Sequence, residues 1–401
     1  MPKKQTGLTQ RSNGTWMARK YLGRDLLTGK RKSIVRYGKT AAEATAKLEQ
    51  ALAELHTGTY VEQRNITVGQ WFPDWLEKYC KPKLKQSTFN SYRSYVEKRI
   101  VPVMGHIRLL DLSVDIFQRF LNEEFAHGNK KTGGPLSPKT IRNLYLCLHA
   151  GMEQAVKNEL VMKNHLKGVV LPRLEEVEMR VLTKQEYVEM VKVSLESEER
   201  YALGVLLSLK TGMRIGEICG LRWKDIDVHE QEIHIRQTLQ RQEKLEHEEG
   251  EPKTEIVIGP PKSKKSRRDI PLPETLIPLL RAQRKRQKED ALAAEDAYQN
   301  MGYVLMNELG CYIEPRTLQD TFQRLRKKAG VEEANFHSLR HTFATRAIEN
   351  HMDVKTLSEI LGHEDVSTTM NRYAHSLDEH KRKAMQRMDQ LYDTLSAEEF
   401  W

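Results

Sequence analysis

Two stretches with neither helical nor strand periodicity set the strongest limit on what this chain can fold into. GTYVEQRN (58–65) separates two helical runs, and LPRLEEVEMRVLT (171–183) is charged, proline-bearing and weakly periodic. At 401 residues the chain is also too long for one comfortable core. The expected division is an N-terminal module with its linker at 1–64, a helical domain at 65–172 and a third domain at 173–401.

The first module carries the charge. Residues 1–39 hold eleven Lys or Arg against the single acid Asp25, which accounts for the whole formal charge of +10. A basic segment on a neutral body suits a polyanionic partner, the bland alternative being a disordered solubilising tail. The segment is patterned, which argues against a tail. Trp16, Ala18 and Tyr21, then Ile34, Val35 and Tyr37, fall in short alternating runs around the turn Leu27-Thr28-Gly29-Lys30. A helix follows, with Ala42, Leu48, Ala51, Leu52 and Leu55 at helical spacing, Thr40 as N-cap and Gly58 as C-cap. A small basic sheet backed by a helix suits the major groove of a nucleic acid, which admits a β-ribbon. The candidate contacts are Arg19, Lys20, Arg24, Lys30, Arg31, Lys32 and Arg36.

From Thr67 to about Lys167 the pattern predicts roughly four helices. STFNSYRSYVEKRIVPVMG opens with Ser87 as a cap and stops near Pro102 and Gly105; a later helix starts with Pro138 just inside a Ser137 cap. Lys139 and Arg142 on that helix could run along phosphates, though each alone fits a solvated face equally well. In the third domain YALGVLLSLKTG reads as a helix broken at Thr211-Gly212, EIHIRQT, TEIVIG and RRDIPLP as strands, and the charged run between the first two as a hairpin tip. Helical patterns continue to the C-terminus.

The apolar runs are far too short to span a bilayer, and MPKKQTGLTQRSNG lacks the apolar stretch of a secretory signal. Cys80, Cys147, Cys219 and Cys311 are far apart with no Cys-x-x-Cys pair, as expected of buried thiols in a reducing compartment.

Chemistry concentrates in the third domain. FHSLRHTFATRAI places His337 and Arg340 three residues apart, on one helix face. TGMRIGE sets Arg214 just past a glycine break, with Glu217 able to orient it. LGHEDVSTTMNRY adds His363 on a turn and Tyr373 in a polar run, and PPKSKKSRRDIP offers Lys262, Lys264 and Lys265. Two arginines, a lysine, histidines and a tyrosine, with no metal-binding carboxylate cluster, suit a phosphodiester. Guanidiniums fork its oxyanions, and fixed donors favour the transition state over the ground state. A tyrosine hydroxyl can attack once its proton, of ordinary pKa about 10, is removed, and a lysine can protonate the leaving oxygen. No cofactor and no metal is required.

R-x-G-E, a hairpin lysine, H-x-L-R-H, L-G-H and a tyrosine, in this order, resemble the tyrosine recombinases, or phage-type integrases, across roughly residues 180–380. The resemblance is greatest to integrases of integrative and conjugative elements and conjugative transposons. It implies a mainly α, multidomain chain: a small N-terminal β-sheet plus helix domain binding arm-type DNA, a helical SAM-like core-binding domain, and an α+β catalytic domain with a small antiparallel sheet. It implies that Arg214, His337, Arg340 and His363 hold the scissile phosphate and that Tyr373 attacks it. The hairpin lysine matches Lys262, with Lys264 as the alternative. The reaction implied is cleavage through a 3′-phosphotyrosyl bond and strand exchange through a Holliday junction, integrating and excising a mobile element or prophage without ATP. The implied partners are double-stranded DNA at core- and arm-type sites, a homotetramer on that DNA, an excisionase and a host DNA-bending protein, in the bacterial cytoplasm. A C-terminal stripe of Met385, Met388, Tyr392 and Leu395 packs, by analogy, on a neighbouring protomer or on its own domain. Two rival readings are a type IB topoisomerase-like relaxing enzyme and a catalytically silent DNA-binding regulator. The separate basic module argues against the first and the complete residue set against the second.

Overall fold

A computed structural model describes residues 6–24, 31–56, 65–174, 179–245, 250–261, 264–372, 385–386 and 388–390. The chain divides into two compact units, Met1–Glu176 and Val177–Trp401.

The first unit opens with an antiparallel sheet of order β1-β2-β3, formed by β1 (Thr6–Gln10), β2 (Trp16–Arg24) and β3 (Arg31–Gly38). Pairing of Ala18 with Arg36 and of Lys20 with Ile34 sets the register. Helix α1 (Ala41–His56) covers one face, and Ala18, Ile34, Ala44, Leu48 and Ala51 form the buried core. As expected, Thr40 caps this helix, its hydroxyl accepting from the Glu43 amide at 3.2 Å. The Gly58 cap and the Leu27–Lys30 turn lie outside the described residues. Strand β1 was not expected, because TGLTQ carries too little apolar alternation to reveal a strand that depends on its neighbour for pairing.

The helical part of this unit comprises α2 (Val68–Trp75), α3 (Gln86–Tyr95), α4 (Val101–Met104), α5 (Val114–His127) and α6 (Pro138–Lys157). A π-turn, Val96–Ile100, joins α3 to α4. Phe72, Phe117, Ile141, Leu144 and Leu148 are fully buried. Ser137 caps α6 as expected, accepting from the Thr140 amide at 3.2 Å. Ser87, expected as a cap, lies inside α3, which begins after Lys85; its carbonyl accepts from the Ser91 hydroxyl.

In the second unit, α8 (Ala202–Thr211) is apolar around nearly its whole circumference and buried, the pattern of a central helix. Packed near it are α7 (Lys184–Glu196), α9 (Ile215–Gly220), α10 (Ile277–Ala294), α11 (Pro315–Lys328) and α12 (Phe336–Glu349); α13 (Val354–Leu361) and α14 (Val366–Arg372) follow. The hairpin expected between EIHIRQT and TEIVIG forms only from Thr238 onward, and the start of EIHIRQT pairs with the third expected strand, RRDIPLP. β4 (Ile226–Asp227), β5 (Glu232–Ile235) and β8 (Arg268–Pro271) make one antiparallel sheet, while β6 (Thr238–Glu243) and β7 (Thr254–Gly259) make a separate ribbon. EIHIRQT therefore splits between the two. Between them, the Gln237 side chain donates to the Gly220 carbonyl at 2.7 Å, which holds the chain against α9 where it leaves the first sheet.

Candidate active site

Helix α8 ends at Gly212, whose φ of +67° is the left-handed conformation a glycine adopts freely. The chain then turns, and Arg214 becomes the first residue before α9. Helix α12 carries His337 and Arg340 one turn apart. Helix α13 ends at Gly362, φ +63°, and His363 follows. Two glycine breaks and one helix face thus deliver the polar groups to one place.

Arg214, His337 and Arg340 line a single cavity of about 630 Å³, together with Gly216, Thr238 and Arg241. Arg340 is only 2% exposed. Its Nη1 donates to the Gly212 carbonyl and its Nη2 to the Leu361 carbonyl, each at 2.7 Å. These acceptors are neutral, so they fix the guanidinium plane without cancelling its charge. Arg214 is more open, and its Nη1 donates to Glu217 Oε1 at 2.9 Å and to Leu361 at 3.4 Å.

Glu217 is 3% exposed and is shared. Besides Arg214 it accepts a two-pronged bond from Arg268, at 3.1 and 2.9 Å. Burial alone would push its carboxyl up, but Arg268 and then Arg214 outweigh that and hold it at about 2. Three guanidiniums around one carboxylate leave the region net positive, as an anion site requires. His337 is exposed and meets buried His341 edge to face at 4.5 Å. His363 is 8% exposed, with Nδ1 2.7 Å from the Thr369 hydroxyl on α14.

Of the six expected site residues, Arg214, His337 and Arg340 share the cavity, and His363 lies two residues past the carbonyl that both arginines use. Lys262 and Tyr373 are outside the described residues; α14 ends one residue before Tyr373, and the turn Lys264–Ser266 begins just after Lys262. Lys265 donates to the Glu364 carbonyl at 2.8 Å, next to His363. Sequence reading missed Arg268. Its only signal was a charge at an inward-facing position of a short strand, alternating with Ile270.

The basic residues of the N-terminal sheet divide between its faces. Arg19 alternates with Ala18 and faces away from α1, as do Tyr21 and Tyr37, while Arg11 stacks over Tyr37 and Arg31 over Tyr21. Lys20 and Arg36 pair with Ile34 and Ala18 and so share the helix-covered face. Arg24 and Arg31 pair with each other at the strand ends and are exposed. The backbone of Lys32 pairs with Gly23, and Lys30 is outside the described residues. Lys139 and Arg142 are exposed one turn apart on α6.

The sequence profile of the phage integrase family matches residues 180–380, and that of a phage integrase N-terminal SAM-like domain matches residues 67–125. The chain belongs to the phage integrase family. It is similar to a tyrosine recombinase XerC-like protein of Caldanaerobacter subterraneus subsp. tengcongensis, 33% identical over 89% of this chain and 91% of that one. It is similar also to the ICEBs1 integrase of Bacillus subtilis, 24% identical over 94% and 98% of the two chains. Among solved structures it resembles the Tn1549 transposon integrase in complex with a circular intermediate DNA. That match has a TM-score of 0.64 and 22% identity, and covers 80% of this chain and 99% of the other. The protein is accordingly a tyrosine recombinase, a site-specific enzyme that cleaves and rejoins DNA. Its mainly helical fold with small antiparallel sheets is that of the family's integrases. Among the described residues no helix is long and apolar enough to cross a membrane.

Proposed function

We propose that Arg214, His337 and Arg340 hold the scissile phosphate, that His363 completes this cage, and that Tyr373 attacks the phosphorus to form a 3′-phosphotyrosyl bond. The observation that carries this reading is the meeting of both guanidiniums on the Leu361 carbonyl beside one cavity. Donors fixed before substrate arrives need no reorganisation as charge builds on the phosphoryl oxygens. The leaving 5′-oxygen takes a proton from Lys262, or from Lys264 if the hairpin aligns the other way. The freed 5′-hydroxyl then attacks the phosphotyrosine of the partner duplex. One P–O bond forms as another breaks at each step, so the ester energy is conserved and no ATP is consumed.

Exchange between two duplexes through a Holliday junction requires four strand cleavages, and hence four protomers. The chain's segments at 1–64, 65–172 and 173–401 serve arm-type DNA, core-type DNA and catalysis respectively. The match of 67–125 to the SAM-like domain supports the second assignment. Similarity to the ICEBs1 integrase supports the integration of a mobile element; excision of that element, a bacterial cytoplasm, and an excisionase and a DNA-bending protein as accessory partners belong to the same proposal. The test is a nicked suicide substrate that traps the covalent intermediate. A protein–DNA adduct forms with the wild type and is lost in Tyr373→Phe. Normal DNA binding by the wild type with no adduct would overturn the proposal.

A further inference from the structure

Arg268 has no part in the reaction above, yet it joins three separate segments around the cleft. It opens β8 on an inward-facing position and is 8% exposed. A guanidinium so buried is costly unless its donors are matched. Nη1 and Nη2 fork the Glu217 carboxylate, and Nη1 reaches the Ser266 carbonyl at 3.1 Å. Nε donates to the Ile360 carbonyl. The first partner is the carboxylate that also binds Arg214. The second ends the short turn that begins at Lys264. The third precedes Leu361, the acceptor common to Arg214 and Arg340. The backbone makes room for this arrangement: a Cβ at Gly362 would lie 2.9 Å from Arg268 Cδ.

We infer that Arg268 is a positioning residue for strand cleavage, fixing Glu217 and the Ile360–Gly362 turn and through them the aim of Arg214 and Arg340. This rests on the reading of those two arginines as the clamp on the scissile phosphate. The shape of the side chain supports it. An ion pair that served only to hold the fold needs attraction and no particular direction. Arg268 instead spends a planar fork on the carboxylate and a third, divergent donor on the turn, which fixes two directions at once. A lysine would keep the charge but could not reproduce that geometry.

Misplacement of a catalytic group by about an ångström costs on the order of 10²-fold in rate. The experiment compares single-turnover adduct formation by the full-length wild type, Arg268→Lys and Arg340→Ala on two nicked substrates. One carries the normal scissile phosphodiester. The other carries a methylphosphonate there, which replaces a charged oxygen by a methyl group and removes the charge the clamp neutralises. Arg268→Lys is expected to lose about 10²-fold on the phosphodiester, with DNA affinity within about threefold, and less than about tenfold on the methylphosphonate. A defect that is merely structural would be equal on both substrates. Thermal melts by circular dichroism accompany the assay. If Arg268→Lys does not fold, the double variant Arg268→Met with Glu217→Gln, which removes both charges of that pair and keeps an amide oxygen as acceptor for Arg214, replaces it under the same expectations. Wild-type rates, or an equal deficit on both substrates while that of Arg340→Ala shrinks, would overturn the inference alone. If the Arg340→Ala deficit does not shrink, the clamp reading itself fails and takes the inference with it.

Discussion

Arg214 and Arg340 donate to one acceptor: the Leu361 carbonyl oxygen lies 3.4 Å from Arg214 Nη1 and 2.7 Å from Arg340 Nη2. One backbone atom therefore sets the spacing of two guanidiniums that come from elements far apart in sequence. Both side chains line one cavity, where the proposed clamp holds a single tetrahedral anion. Arg340→Ala removes the more buried member and should lower the cleavage rate by about 10² to 10³. DNA affinity should change far less, since a 2% exposed side chain adds little to the electrostatic attraction of the duplex. Single-turnover adduct formation beside a gel-shift titration checks this. A loss confined to affinity would contradict the role.

Gly362 should be intolerant for two separable reasons. Its φ of +63° strains any residue with a Cβ, by about 1–2 kcal/mol. That Cβ would also meet Arg268 Cδ at 2.9 Å and Nη1 at 3.2 Å. Gly302 separates the two effects, because its φ is +77° but its Cβ would have nothing within 4 Å. Gly302→Ala should lower the melting temperature and leave cleavage near wild type. Gly362→Ala should lower both, with cleavage falling about tenfold or more. Equal cleavage by the two variants would show that the Arg268 contact is immaterial.

These relationships also mark how far the sequence could be read. Local chemistry was legible: the Thr40 and Ser137 caps, the break at Thr211-Gly212 and the shared face of His337 and Arg340 all depend on neighbours within one helical turn. Arg268 was not, because its meaning depends on a carboxylate 51 residues away, and an arginine in a short strand otherwise reads as an edge charge. The shared Leu361 acceptor is a backbone atom and leaves no trace in residue identity. The split of EIHIRQT between two sheets was hidden for a similar reason. Alternation predicts strands, but which strands pair is decided by distant partners, here β8 for β5 and β7 for β6. Ser87 misled because a serine near a helix start is a common cap, whereas α3 begins one residue earlier.

The buried carboxylate gives a pH prediction with a definite sign. Glu217 has a folded pKa of about 2, below the usual 4.5 of a free glutamate. Its contribution to stability is therefore complete above about pH 4.5 and is lost as the pH falls towards 2, on the order of 3 kcal/mol in all. Melting temperatures of the wild type should fall more steeply between pH 5 and pH 2.5 than those of the Glu217→Gln, Arg268→Met double variant, which has no such charge to protonate. Parallel curves for the two proteins would mean that the pair contributes nothing to acid stability.

The N-terminal sheet offers a prediction in which face, rather than charge, decides the outcome. Arg19 lies on the open face with Tyr21 and Tyr37, which are 37% and 46% exposed, while Arg36 shares the helix-covered face with Ala18. Its Nη1 donates to the Val35 carbonyl at 2.9 Å. A β-ribbon entering the major groove presents one face to the bases and phosphates. Arg19→Ala should therefore weaken binding to an arm-type duplex and reduce its salt slope by about one, as expected for a lost phosphate contact. Arg36→Ala, equal in formal charge, should leave the slope nearly unchanged. Deleting residues 1–57 should abolish arm-type binding and leave weak cleavage at core sites. The measurement is affinity across a range of salt concentrations on separate arm and core duplexes. If Arg19→Ala and Arg36→Ala shift the arm-site slope equally, overall charge rather than the open face drives binding. If the truncated protein loses core-site binding, the division of labour between the segments is wrong.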